Sequence, residues 1–447
     1  MLDVNSGAVH LLDDISYAVS GLLDENMGDT CPQGIIDALP DYTADEIREA
    51  YDELYELKKA GQLFAQDDYI DVSRYIPVNA PVKALCLHVA HDCNLRCKYC
   101  FASTGDFGQG RKIMPPEIAK KAIDFVIARS GVRHNIEVDF FGGEPLMAWD
   151  TVTQTVDYAR SLEEKYNKKF RFTITTNGLL LDEDKRKYIN ENMDNCVLSL
   201  DGRREVNDEF RKTVAGTGSY DTIVPKFKAL VDERDPNLDY YARGTFTSHN
   251  LDFAEDVLSI ADAGFDRLSV EPVTADPGCG YDLTEDDLPK IEAEYDRLTD
   301  IMLERKKEGK PFTFFHFMVD LDQGPCVVKR LRGCGAGYEY VAVTPDGDIY
   351  PCHQFVGKDE FKQGSVLDQS FNMDIAQKFA GMNIYSRPKC QKCWAKFYCS
   401  GGCSAANYNM NHDMNDSYDL GCEMERKRLE CAIYLKAMDK ICANQSK

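Results

Sequence analysis

Long apolar runs are missing from this chain. Nowhere in its 447 residues does a stretch approach the ~20 apolar residues a membrane helix needs, so a helical membrane protein is excluded. The start, MLDVNSGAVHLLDD, lacks the basic and apolar segments of a secretory signal, and the expected location is cytoplasmic. Positive charge is short as well: 52 Lys and Arg stand against 75 Asp and Glu, a net charge of −23. Such a surface repels phosphate backbones, which excludes nucleic acid as a partner. The sequence shows no internal repeat and no low-complexity tract. What is there, 43% hydrophobic and 28% charged residues, is an ordinary globular composition. At roughly 100 to 200 residues per domain, the length allows about two to four domains.

Cysteine is the residue in excess, with 17. Thiols in a reducing compartment rarely pair, and these are bunched, with Cys93, Cys97 and Cys100 in one group and Cys390, Cys393, Cys399 and Cys403 in another. Metal or iron–sulfur ligation is the expectation, not disulfides.

Three regions differ in pattern. In residues 1–75, AVHLLDD alternates like a strand and ISYAVSGLLDE and CPQGIIDALP read as short helices. Thr43 and Glu46 form a capping-box pattern opening a longer helix that Gly61 stops, and QLFAQDDYIDV reads as a hairpin. Helices followed by a hairpin predict a winged helix, whose acidity favours a peptide over DNA. From 80 to 310, apolar runs at 83–90, 136–141, 170–176, 195–200, 240–247 and 267–272 each precede a helical stretch. Six βα units predict an α/β fold with a parallel sheet, a partial (β/α)6 TIM-type barrel with its chemistry at the C-terminal ends of the strands. Residues 311–447 are a cysteine-rich region ending in a long helix.

Cys93-Asn-Leu-Arg-Cys97-Lys-Tyr-Cys100 places three thiols within eight residues on the loop leaving the first barrel strand. Three cysteines hold three corners of a four-iron four-sulfur cube and leave one iron open; a structural zinc site, which takes four protein ligands, is the alternative. The Cx3CxxC spacing, with Tyr99 before the last cysteine, resembles the signature of radical S-adenosylmethionine (SAM) enzymes, and the resemblance implies that Tyr99 meets SAM. The resemblance implies that SAM chelates the open iron and is cleaved there to release a 5′-deoxyadenosyl radical. Phe141-Gly142-Gly143-Glu144-Pro145 is similar to the family's GGEP segment, which holds the SAM ammonium. Through the same resemblance Thr176 and Asn177, in TTNG, and Ser199, in SLDG, would meet the ribose and carboxylate of SAM. For each alone, a helix N-cap is the competing reading. Arg243 would pair with the SAM carboxylate, with Arg211 as competitor, and Val270-Glu271-Pro272 would pack on the adenine.

Further on, Cys334, Cys352, Cys390, Cys393, Cys399, Cys403 and Cys422 have a spacing similar to the SPASM domain of radical SAM enzymes that modify peptides. This implies two auxiliary [4Fe–4S] clusters, three in all with the SAM cluster. Cys334, Cys352 and Cys403 would hold the first, and Cys390, Cys393, Cys399 and Cys422 the second. Seven ligands leave one position open on the first cluster, for Cys326 or for a substrate thiolate. Tandem zinc ribbons are the alternative for this region. His353, beside Cys352, reads as a hydrogen-bonding neighbour rather than a ligand. Cys86 and Cys196 read as core.

The acidic N-terminal module resembles the RiPP recognition element, which binds the leader of a ribosomally made precursor peptide as an added strand; Leu11 to Asp14 would supply the edge. Together with GPCVVKRLRGCGAGYEYVAVTPDGDIYPCHQFVG, the three regions look most like the thioether-forming maturases of SCIFF peptides, relatives of the sactipeptide synthases. The implied reaction couples a substrate cysteine sulfur to a carbon of an acceptor residue, with reducing electrons from a donor such as flavodoxin or ferredoxin. A sulfatase-maturing, formylglycine-forming enzyme and a zinc-bound peptide-binding scaffold are the two alternatives.

Overall fold

The computed structural model describes residues 1–75, 80–321 and 327–445. The N-terminal module contains α1 (Asp14–Ser20), α2 (Gln33–Ala38), α3 (Ala44–Lys59) and α4 (Tyr69–Tyr75). Its core is Val19, Ile35, Ile47, Tyr51 and Leu54. The Thr43–Glu46 capping box forms as its spacing requires: the Thr43 hydroxyl accepts from the Glu46 N–H, and the Glu46 carboxylate accepts from the Thr43 N–H at 2.8 Å.

Two expectations for this module change. AVHLLDD makes only a single antiparallel bridge, Leu2 to Val9. Leu11 to Asp14 is no strand edge, because Asp13 caps α1, its carboxylate accepting from the Ser16 N–H at 2.9 Å. QLFAQDDYIDV forms no hairpin; its second half enters α4. The physical reason lies outside the module. Asp67 is bound by Lys396 and Tyr385, and Tyr69 packs edge-on against Phe397. Tertiary contact thus outweighs the local alternation.

The six anticipated strands are present, all parallel: β1 (Ala84–His91), then, after the two-residue β2 (Lys112–Ile113), β3 (Asn135–Gly142), β4 (Lys169–Thr176), β5 (Asn195–Ser199), β6 (Asp239–Phe246) and β7 (Arg267–Pro272). Helices alternate with them: α5 (Pro116–Arg129), α6 (Trp149–Tyr166), α7 (Glu183–Asn192), α8 (Arg204–Phe210), α9 (Tyr220–Asp232), α10 (Phe253–Asp262) and α11 (Leu288–Lys307). Ile136, Val138 and Phe140 of β3 and Phe170, Phe172 and Ile174 of β4 are fully buried against this helical layer. The intervening residues face the interior of the curve, the period-2 consequence of a strand. The sheet runs past residue 310, since β8 (Thr313–Phe314) pairs in parallel with β7.

The cysteine-rich region is joined to the barrel by the sheet itself. Following α12 (Val327–Arg332), β9 (Tyr340–Val343) pairs in parallel with the free edge of β1, and β10 (Asp348–Tyr350) and β11 (Gly364–Ser365) extend the sheet outward. Buried Glu339 fastens this junction by accepting from Lys83 and Arg133. Beyond it lie α13 (Met373–Gly381), α14 (Pro388–Gln391), α15 (Lys396–Cys399), α16 (Ser404–Asn411) and α17 (Asp419–Gln445). Through Leu420, Met424, Cys431 and Ala432, α17 joins the main core. Among the described residues no helix is long and apolar enough to cross a membrane.

Candidate active site

The loop carrying Cys93, Cys97 and Cys100 leaves the C-terminal end of β1, as the barrel reading requires. It is pinned by backbone bonds to the segment after α8: Arg96 N–H donates to Lys212 O at 2.7 Å and Lys98 N–H to Phe210 O at 3.0 Å. The three thiols face one another electrostatically. Burial pushes Cys93 up to about 12, with Glu144 adding to it, and Cys97 up to about 11, so thiolates here need a positive partner such as iron. Two N–H groups aim at the Cys93 sulfur, from the Leu95 backbone at 3.4 Å and from Asn177 Nδ2 at 3.6 Å. Such donors stabilise sulfur-bound negative charge.

Gly142 and Gly143 are there for close approach. Gly142 has φ +122°, and a Cβ on Gly143 would lie 2.1 Å from the Asp92 carbonyl oxygen. Their backbone latches onto the cysteine loop, Gly143 N–H to Ala90 O at 2.7 Å and Glu144 N–H to Asp92 O at 2.9 Å. The Glu144 carboxylate, 1% exposed, accepts from Leu146 N–H at 3.0 Å, Thr176 Oγ1 at 2.7 Å and Asn177 N–H at 2.7 Å. Glu144, Thr176 and Asn177 are therefore one hydrogen-bonded unit. A carboxylate has about four acceptor positions, so three internal donors leave roughly one for a ligand.

The Tyr99 hydroxyl joins a buried network. It donates to Asp201 Oδ2 at 2.5 Å and accepts from Arg211 Nη1 at 2.9 Å. Arg211, facing Cys97, lies 3.8 Å from Asp201. Sequence reasoning quoted Asp201 within SLDG without giving it a role of its own; a single buried acid inside a loop motif has no periodic signal. Ser199 and Arg243 are register partners across β5 and β6. Arg243 meets Glu271 of β7 at 2.5 Å, and Glu271 also faces His316 at 3.8 Å. Val270 cannot meet a ligand, being fully buried in the helix-facing core.

The remaining cysteines fall into two sets. Cys334, Cys352 and Cys403 are mutual electrostatic neighbours. Cys390, Cys393, Cys399 and Cys422 line one cavity of about 220 Å³. Among the described residues every cysteine is free, and no three His, Cys, Asp or Glu side chains are close enough to hold a single metal ion. Grouped thiols free of disulfides are the donor type that iron–sulfur clusters take. Cys326 lies outside the described residues. Cys86 and Cys196 are core, 1% and 0% exposed.

The comparisons with known proteins agree with this geometry. Residues 87–238 match the Radical SAM superfamily, and residues 334–394 match the SPASM family, an iron-sulfur cluster-binding domain. The chain carries a radical SAM domain and a SPASM domain. SAM and [4Fe–4S] clusters are its cofactors. The chain is similar to the cysteine-type anaerobic sulfatase-maturating enzyme of Clostridium novyi, 25% identical over 74% of this chain and 90% of that one. In fold it is similar to native anSMEcpe with bound AdoMet and Kp18Cys peptide, TM-score 0.65 at 21% identity over 80% of this chain and 99% of that one. It is also similar in fold to Streptococcus suis SuiB bound to precursor peptide SuiA, TM-score 0.54 at 17% identity, over 91% of this chain and 92% of that one.

Proposed function

We propose that this chain is a radical SAM peptide maturase that installs cysteine thioether cross-links in a ribosomally made precursor peptide of the SCIFF type. The observation that carries the reading is the placement of space between the barrel mouth and the SPASM cysteines. A cavity of about 390 Å³ runs from Glu271 to Thr274, at the end of β7, to Cys399, Cys403 and Cys422. A second of about 530 Å³ runs from Tyr99 and Cys100 to His353 and Tyr408. A peptide lying there would have the SAM site on one side and the auxiliary cysteines on the other.

When bound, SAM and its cluster supply the hydrogen-abstracting 5′-deoxyadenosyl radical, and the auxiliary clusters supply an electron sink. Cys93, Cys97 and Cys100 would ligate the first cluster. Glu144, Thr176 and Asn177 would position SAM, with Ser199 and Arg243 on the inner face beside it. Cys334, Cys352 and Cys403 would hold one auxiliary cluster, and Cys390, Cys393, Cys399 and Cys422 the other. Each cross-link forms one S–C bond from one S–H and one C–H. The balance of such a bond is one hydrogen atom from carbon, one thiol proton and one electron, which the bound cofactors and solvent would take up while this chain's residues hold the two reacting groups together.

The leader would bind the N-terminal module. A surface cavity of about 590 Å³ there is lined by Val9 to Asp13 and by Glu53, Leu54 and Leu57 of α3, and Tyr17 on α1 is 74% exposed. SuiB, similar over both chains, binds a precursor peptide.

The test is anaerobic turnover of a cysteine-rich precursor peptide with SAM and a reductant, read by mass spectrometry after thiol alkylation. Loss of two hydrogens and one alkylatable thiol per event is expected. The triple variant Cys93→Ala, Cys97→Ala, Cys100→Ala should form no 5′-deoxyadenosine. Formylglycine as product would replace this reading with the sulfatase-maturing one, and zinc without iron in the purified protein would overturn both.

A further inference from the structure

Around the SPASM cysteines the cations are not alike. Lys389 meets Asp419 at 2.7 Å, Lys396 meets Asp67 at 2.7 Å, and Arg426 meets Glu423. Each is neutralised by an acid. Arg387 is different. It is 2% exposed, and among the described residues no carboxylate pairs with it. Its Nη2 donates to Ser404 Oγ at 2.9 Å and its Nε to Met414 O at 3.3 Å.

Its position is between the two cysteine sets. The Arg387 carbonyl accepts from the Cys390 N–H at 3.0 Å, and Ser404, which receives the guanidinium, directly follows Cys403. The guanidinium lies on Gly401, where φ is +88° and a Cβ would stand 2.1 Å from Nη1. Glycine at that point lets the cation into the turn joining Cys399 to Cys403. The titratable groups it faces are the thiols of Cys390 and Cys399 of one set and of Cys403 and Cys334 of the other.

A buried guanidinium without a counter-charge is costly. Neutral thiols give it none. Two thiolate-bound iron–sulfur clusters would each give it a negative neighbour, and each becomes more negative on reduction. We propose that Arg387 is a counter-ion shared by the two auxiliary clusters, a positioning residue that raises the potential at which they accept an electron. This rests on the two-cluster reading above.

The experiment uses the full chain with Cys93, Cys97 and Cys100 replaced by Ala, so that only auxiliary clusters are present. Iron is counted after anaerobic reconstitution, and the clusters are titrated potentiometrically with paramagnetic resonance as the readout. With Arg387 intact, about eight irons per chain are expected. Arg387→Met should lower the reduced-to-oxidised ratio at a fixed poise by about tenfold or more, which is 59 mV for a one-electron couple. Arg387→Lys, which keeps the charge, should restore most of that ratio. Full iron with unmoved potentials in Arg387→Met would overturn the proposal. If Arg387→Met loses iron, recovery of iron and potential in Arg387→Lys supports it, whereas equal loss in both variants assigns Arg387 to shape alone and overturns it. No auxiliary iron with Arg387 intact would overturn the two-cluster reading itself, and this inference with it.

Discussion

Asp67 and Lys396, 329 residues apart, meet in a 2.7 Å ion pair that ties the N-terminal module to the helix between Cys393 and Cys399. Asp67 also accepts from the Tyr385 hydroxyl at 2.5 Å, and two hydrogen-bonded cation and hydroxyl partners hold its carboxyl below the usual range against the upward push of burial. The module that would hold the leader is thereby attached to the loop that would hold the second auxiliary cluster.

Asp67→Ala removes the counter-charge of a lysine whose side chain is 8% exposed. The expected cost is about 1 to 3 kcal/mol, between a buried hydrogen-bonded charge and a fully buried pair. The variant should unfold at a lower denaturant midpoint. Lys396→Met in the same chain should recover part of the loss, because it removes the orphaned charge. Identical midpoints for wild type and Asp67→Ala would show that the two parts are held by apolar contacts alone.

Glu144→Gln keeps the shape of the buried side chain but turns one acceptor oxygen into a donor amide. Three donors converge on that carboxylate, from Leu146, Thr176 and Asn177, so at least one must face another donor. A loss of about 2 to 4 kcal/mol in stability is expected from charge-assisted bonds broken in a buried site. SAM affinity should fall at least tenfold, since the same carboxylate orients the loops around Cys93. Equilibrium dialysis of SAM and a melting curve on the same preparation check both. A stable variant with unchanged SAM affinity would remove Glu144 from the site.

The barrel was legible because its signal is redundant. In β3, Ile136, Val138 and Phe140 alternate with inward residues, the next unit repeats the pattern at Phe170, Phe172 and Ile174, and glycine or threonine motifs mark the strand ends. The division of the cysteines into two sets was available only through the SPASM resemblance, since Cys334, Cys352 and Cys403 are far apart in sequence. The link from β9 to β1 was not, because nothing local in Tyr340–Val343 names the edge it joins. Nor was the Tyr99–Asp201–Arg211 network, formed by residues about 100 positions apart that the α8 segment brings together. The winged-helix expectation failed for the opposite reason. QLFAQDDYIDV carries a local hairpin pattern, but its strongest partners, Lys396 and Tyr385, lie in another region.

A last consequence concerns pH. Asp139 on β3 faces the barrel interior, and burial raises its carboxyl to about 7, with Glu137 adding to the rise and the Thr173 hydroxyl opposing it. The folded chain then holds a proton that the unfolded chain, with an ordinary aspartate near 3.9, releases. Between about pH 4 and 7 the folded state binds more protons, so this group lowers stability as pH rises and its full penalty is present above 7. At about 1.4 kcal/mol per unit, the penalty approaches ~4 kcal/mol as an upper bound. Asp139→Asn should therefore be more stable than wild type at pH 8, with the advantage shrinking as the pH falls toward 4. Unfolding midpoints of both proteins at pH 5 and pH 8 test this, and an equal difference at the two pH values would show that Asp139 is already ionised in the folded protein at pH 5.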